Sequence, residues 1–558
     1  MSGFLGFVCA SLELVDHHHE HSVMSDIAYQ AETLVIGAGL AGICTALELL
    51  NNGRAVLLLD GCERQRFGGQ AKEAFGGMLL SNTPEQRRNG IADSAELFWR
   101  DWQQAAQFQP DSQWAQRWAK AYCERNRSEI YDWLQGYGIG FFPVVQWPER
   151  GNYSDGNSVP RYHVAWGCGQ GIVQSLVQQL LGHPQANLLR CVFSHTVSAL
   201  DSCDGRVVGC HGVQPEGAFS VQADNTVVCT GGINGNLDKV REHWDPIYGA
   251  APDNLLSGTH PSADGALHDC VEVVGGQVSN LHYMWNYAAG IAHPQPEYPQ
   301  HGLSLIPPRS ALWMDCHGRR IGPQPMVTGF DTHDLCKTTG HLPEQYTWQI
   351  MNKRIADKEL AISGSDSNPH FRDRKLLKVI WQALRGNAAQ TQWLLDHCPD
   401  VVCGNTLDEL ALQMQRVAPN TTLDIAGMHA DIERYDAMLK GPRGLRNDDQ
   451  IRRIEQLRQW RGDRVRTCKL QPIIDRKQMP LIAIRLRLIS RKSMGGMLTD
   501  LSSRVLDSQG SPVVGLYAAG EAAGFGGAGI SGVRSLEGTF LSNCVFNGRR
   551  AAQSIIAG

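Results

Sequence analysis

Residues 31–60 read AETLVIGAGLAGICTALELLNNGRAVLLLD, and this stretch decides the fold. Residues 31–36 (AETLVI) form a short apolar run of the kind that becomes a buried strand. Gly37-Ala38-Gly39-Leu40-Ala41-Gly42 follows, and CTALELLNNG then reads as a helix that stops at Gly53. A second strand, AVLLLD, closes at Asp60. Strand, glycine turn, helix and strand within about 30 residues make a βαβ unit with a dinucleotide fingerprint. Gly37 permits the tight turn, Gly39 lets a pyrophosphate approach the backbone, and Gly42 lets the helix pack closely on the sheet. The helix N-terminus offers unpaired N–H groups and a partial positive charge to phosphate. Asp60 stands 18 residues beyond Gly42, at the strand end where a carboxylate bonds a ribose hydroxyl pair, and Gly61 follows it.

Working outward, three further segments favour FAD over NAD. Gly68-Gly69-Gln70-Ala71 through Gly76-Gly77 is a glycine-lined loop that lets backbone contact a flavin. Val227-Val228-Cys229-Thr230-Gly231-Gly232 is a strand ending in a glycine turn. Gly515-Leu516-Tyr517-Ala518-Ala519-Gly520-Glu521 resembles the C-terminal flavoprotein strand whose acidic end meets the ribityl chain. A helix follows, starting near Ser535, Leu536, Gly538 and Thr539 and running through LSNCVFNGRRAA. Its N-terminus can stabilise the negative charge that reduction places on the flavin N1/O2 edge. Each segment is modest alone; in this order they are specific.

With SADGALHDCVEVVGG (262–276) and SMGGMLTD (493–500) added, the chain resembles the fumarate reductase/succinate dehydrogenase flavoprotein superfamily. Within it, the chain resembles flavoproteins related to 3-ketosteroid Δ1-dehydrogenase. The resemblance spans about 31 to 558 and implies an α/β fold: a Rossmann-like FAD domain built from both chain ends, with an inserted α+β capping domain over the flavin. The corresponding division is a disordered N-terminal extension (1–30), the FAD domain's first part (31–282), the cap (283–470) and the FAD domain's second part (471–558). It implies hydride transfer between flavin N5 and a carbon, with a paired proton transfer making or removing a C=C bond next to a carbonyl or carboxylate. Asp264, in the SADG segment, is expected at the cofactor. The implied partners are a small molecule, steroid-like or an enoate, and an electron partner outside the chain.

Three departures from the family pattern matter. Gln70 occupies the position where some members carry a flavin-linking histidine, so the FAD is expected to be noncovalent. Arg491-Lys492 stands where fumarate reductases have His-His, which weakens a dicarboxylate assignment while leaving two cations for an anion. Arg534 stands where the steroid enzymes place a tyrosine, four residues before the oxyanion-binding glycine matched by Gly538. The candidate catalytic residues are therefore Arg534, as carbonyl or carboxylate ligand or proton shuttle, with Gly538, Arg491 and Lys492. Tyr283 and Tyr287 of HYMWNY join them, because phenols suit proton transfer in a closed pocket.

Composition agrees. The 558 residues carry a net charge of −5, which argues against a nucleic-acid partner, and the 59 glycines exceed the usual ~7%. The 16 cysteines show neither CxxC nor zinc spacing, which points to a reducing, cytoplasmic setting, and no metal constellation is seen. No apolar run is long enough to span a membrane. The His-rich patch His17–His19 and His21 reads as part of a disordered extension, with Met24 as an alternative start. The tryptophans of 85–135 (Trp99, Trp102, Trp114, Trp118, Trp133) read as core. Oxidation of a CH–OH or CH–NH group, and a non-enzymatic FAD-binding protein, stay open as alternatives. A disulfide reductase fits less well, because no paired cysteines follow Asp60.

Overall fold

The computed structural model describes residues 29–152 and 155–558. Residues 1–28 of the expected extension, with its histidines and Met24, lie outside the described residues. β1 (Tyr29–Ile36) begins two residues before the expected strand, α1 (Leu40–Asn51) follows the glycine turn, and β2 (Val56–Leu59) closes the unit.

β1 is central in an eight-stranded sheet. It pairs in parallel with β2 (Ile36↔Leu59) and with Gly217–Val228 (Ile36↔Val228). Pro512–Ala518, from the other end of the chain, runs parallel beside Gly217–Val228, with Ala518 opposite Val228. Both chain ends thus build one sheet. Leu189–Val192 pairs in parallel on the other side of β2, so the carboxyl ends of five parallel strands meet at one edge, which is where ligands bind in open α/β sheets. The C-terminal helix α2 (Thr539–Ala557) packs against α1, and Gly548 makes the contact close. A Cβ there would lie 2.5 Å from the Ala41 carbonyl oxygen.

A second eight-stranded sheet is organised around the thirteen-residue strand Leu481–Ser493. Met284–Ala292 and Tyr346–Asn352 flank it antiparallel. Its residues Ile482, Ala483, Ile484, Leu486 and Leu488 are fully buried, in a core of their own with the surrounding helices. This strand falls within the stretch expected to return to the nucleotide sheet. An apolar run specifies a buried strand but not its partner, so the sequence pattern suits either sheet. Trp102 and Trp118 are fully buried, and Trp99 and Trp133 pack on the same core.

Candidate active site

The glycine turn after β1 is built for close approach. Gly37 has φ +106°, and a Cβ there would lie 2.5 Å from the Cys229 carbonyl oxygen. A Cβ on Gly42 would fall 2.0 Å from the Gly37 carbonyl oxygen, so this glycine keeps the helix against its own turn as much as against the sheet. Gly39, the N-cap of α1, differs: a Cβ there meets nothing within 4 Å. The space beside Gly39 is cavity, in front of first-turn N–H groups that no helix carbonyl can reach. The Asp60 carboxylate accepts from Ala38 N (2.6 Å) and Cys62 N (2.7 Å), which ties both turns together at the cavity edge. The second glycine loop folds back on the first, with Gly68 N donating to the Ala38 carbonyl at 2.9 Å. These open backbone donors and the carboxylate at the second strand end fit a dinucleotide.

A cavity of about 490 Å³ runs from this cradle across the sheet edge. Of the residues expected at the cofactor, its wall includes Gly37, Gly39, Leu40, Ala41, Asp60, Gly61, Gly68, Gly69, Gln70, Ala71, Gly76, Gly77, Thr230, Gly231, Asp264, Gly520 and Glu521. Ala38, Gly42, Gly232, Ser535, Leu536 and Thr539 stand behind the wall. Ser535 and Thr539 are buried and bonded to each other at 3.2 Å, Leu536 is in the core, and Gly232 packs on Ser493 and Glu521. Gly538, the N-cap of α2, lies in the wall with Phe540 and Leu541, so the positive end of that helix faces the cavity.

At the far end, Arg491, Lys492, Tyr287, Tyr162 and Glu537 converge. Two consecutive strand residues reach one cavity because the strand bulges. Lys492 pairs with Trp285 and Ser490 with Asn286, leaving Arg491 as the extra residue. Ser493 fixes the strand end, its N–H on Glu521 at 2.9 Å and its hydroxyl on Asn234 at 2.6 Å. Arg491 donates to the Gly258 carbonyl at 2.7 Å, while its buried Nε has no hydrogen-bond partner among the described residues. Burial, reinforced by Arg491, holds the Lys492 ammonium below the usual lysine range; burial raises the nearby Glu521 carboxyl, opposed by Lys492.

Tyr287 donates to Glu537 at 2.7 Å and Trp285 Nε1 donates to the same oxygen at 3.1 Å. Burial and the Glu537 charge push the Tyr287 phenol well up, so it stays protonated. Tyr162 is likewise raised by burial, with Glu537 adding to it. Glu537 and Tyr162 were missed in the sequence. Glu537 adjoins the expected Gly538, and that adjacency was the available signal. Tyr162 sits on a three-residue strand with no motif around it.

Two expected catalytic residues lie elsewhere. Tyr283 precedes the strand that begins at Met284 and packs in the nucleotide-side core, outside the cavity wall. Arg534 is also outside the wall. Its guanidinium donates to Asp331 at 2.8 Å and to the Asp155 carbonyl. Asp331 caps the helix Thr332–Gly340. Beside it, Glu149 accepts from Thr332 N at 3.1 Å and from the Thr332 hydroxyl. Burial first, and the Asp331 charge second, push the Glu149 carboxyl up to about 8. These groups latch the nucleotide side to the helices of the second sheet, with Arg150 paired to Asp463 nearby.

With this geometry in view, the comparisons are consistent. The family model described as FAD binding domain matches residues 32–541. A KsdD-like steroid dehydrogenase of Mycobacterium tuberculosis is 39% identical over 544 residues, covering 94% of this chain and 95% of that protein. Among solved structures, a 3-ketosteroid Δ4-(5α)-dehydrogenase of Rhodococcus jostii, in complex with 4-androstene-3,17-dione, aligns with TM-score 0.63 at 20% identity, covering 96% and 99% of the two chains. An open flavocytochrome c3 fumarate reductase aligns with TM-score 0.66 at 19% identity, covering 95% and 79%. At those identities the two structures speak for the fold.

Proposed function

We infer, from the premise that this chain belongs to the FAD binding domain family, that the cavity is an active site for a ketosteroid-like substrate. The chain is an FAD-dependent oxidoreductase acting on a CH–CH group. One observation carries the reading: a single cavity joins the glycine cradle to a cluster of protonic side chains at the N-terminus of α2. The 39% identity to a steroid dehydrogenase supports the substrate class.

Gly37, Gly39 and the first-turn N–H groups of α1 would hold the pyrophosphate, and Asp60 the ribose. The Gly68–Gly77 loop, Thr230, Gly231, Gly520 and Glu521 would line the flavin side. Gln70 has an amide where a linking histidine would stand, which supports noncovalent attachment. FAD, when bound, supplies hydride transfer to or from a substrate carbon. The protein's residues handle charge and protons. The Tyr287 hydroxyl, held protonated first by burial and then by the Glu537 charge, is a donor rather than a base. Lys492, with its ammonium destabilised by burial and by the Arg491 charge, faces the cavity as a proton carrier. Unpaired N–H groups at the start of α2 can stabilise an oxygen that gains negative charge. The cap is assigned to the second sheet, with 283–470 as its main part. Fifteen unpaired cysteines among the described residues support a cytoplasmic setting.

A second reading, an enoate substrate, is favoured by Arg491 and Lys492 as two cations in the wall. Turnover tests both readings, with an artificial electron acceptor for dehydrogenation of 3-ketosteroids and a reduced artificial electron donor for reduction of ketosteroid enones and enoates. Dehydrogenation or reduction of a ketosteroid supports the first, and activity confined to enoates replaces it with the second.

A further inference from the structure

The helix Leu376–Arg385 carries an outward apolar stripe that the described chain leaves uncovered. Leu377 is 82% exposed, Trp381 63% and Leu384 64%. They stand four and three residues apart and so share one face of the helix. Leu376 and Ile380 widen the stripe. Single exposed apolar residues are ordinary, but five on one ten-residue helix form a patch of the kind that marks an interaction surface.

The surroundings of the stripe are basic. Residues 370–385 carry Arg372, Arg374, Lys375, Lys378 and Arg385 against one acid, Asp373, in a chain of net charge −5. Asp373 is already held by Arg372 and Lys375. Val379, Ile380, Ala383 and Leu384 line a second cavity of about 510 Å³, so Ile380 and Leu384 stand where that cavity meets the outer face. Phe75 belongs to the walls of both this cavity and the first.

We propose that Leu376–Arg385 docks on an anionic lipid bilayer. The helix lies in the headgroup plane, with Leu377, Trp381 and Leu384 inserted and the basic side chains on lipid phosphates. A short helix with a Trp-bearing apolar face and flanking lysines and arginines has the composition of an in-plane membrane helix. A second copy of the chain suits the patch less well, because a two-fold contact sets this basic surface against itself. The attachment proposed is superficial; no helix among the described residues is long and apolar enough to cross a membrane. Docking places the second cavity's mouth at the bilayer, the source of a lipid-soluble substrate. That last clause rests on the steroid reading; the docking does not.

The test is flotation of the full-length, FAD-loaded protein with vesicles of pure phosphatidylcholine and of phosphatidylcholine mixed with phosphatidylglycerol. The wild type is expected to float with the mixed vesicles, to stay behind with the pure ones, and to be released by high salt. L377D/W381D is expected to lose at least tenfold of that binding, and K378E/R385E to weaken it on anionic vesicles. Both variants should keep the wild-type flavin spectrum, and their turnover of a water-soluble substrate should be unchanged. Failure of the wild type to float on anionic vesicles overturns the proposal. So does flotation that L377D/W381D leaves intact. A wild-type dimer in sedimentation velocity that L377D/W381D dissociates, without lipid binding, also overturns it and assigns the stripe to self-association.

Discussion

Glu149→Gln is predicted to make the protein more stable than the wild type in alkali. The Glu149 side chain is 3% exposed, against Thr332 and near Asp331, and its carboxyl is pushed from an ordinary value of 4.5 up to about 8. Between those pH values the folded chain keeps a proton that the unfolded chain has released. This stabilisation is fully present below about pH 4.5 and is lost as the pH rises through 8. At about 1.4 kcal/mol per tenfold in proton affinity, the loss amounts to about 3–5 kcal/mol. A permanently neutral glutamine escapes it while keeping the shape and one acceptor for Thr332. Urea unfolding of both proteins from pH 5 to pH 9 measures the effect. The difference is expected to be small at pH 5 and to favour the variant by about 3–5 kcal/mol near pH 8.5. Subtracting the two curves removes shared titrations. His163 and His268, each pushed down to about 4 by burial, contribute stability present above pH 6.5 and lost as the pH falls. A difference that does not change with pH, or a variant less stable than the wild type in alkali, would refute the argument.

Three further outcomes follow from the site. Gly39→Val places a branched side chain in the open space beside the α1 N-terminus, so the purified variant should be colourless and FAD should give no thermal stabilisation. Tyr287→Phe should retain FAD but turn over about 10²-fold slower, as expected on loss of a positioned proton donor; unchanged kcat would exclude that role. Arg534→Ala strands the buried Asp331 carboxylate and should cost about 3–5 kcal/mol in denaturant unfolding at pH 7. A fully stable Arg534→Ala protein with normal FAD content and no turnover would instead place Arg534 at the substrate.

The nucleotide cradle was legible because its parts are contiguous. Gly37, Gly39, Gly42 and Asp60 carry their geometry within 24 residues, and the left-handed turn at Gly37 and the Gly42–Gly37 contact are local. The protonic end was half legible. Arg491, Lys492 and Tyr287 reach the cavity, but the bulge that brings both cations there comes from pairing between strands about 200 residues apart. Glu537 finds Trp285 and Tyr287 at separations of 252 and 250 residues. No local pattern encodes such a contact. Arg534 shows the same limit in reverse. Its place before α2 suggested a substrate ligand, while its partner Asp331 lies 203 residues away on the helix it caps. Tyr283 fell short for a nearer reason: the strand starts one residue after it, and its ring packs in the nucleotide-side core.

The most direct test is anaerobic titration of the FAD-loaded protein with 3-ketosteroids, alcohols and amines, following the flavin's visible absorbance. The account predicts that a ketosteroid bleaches the flavin and yields a product two hydrogens lighter. Bleaching only by an alcohol or amine, with ketosteroids inert, would contradict it.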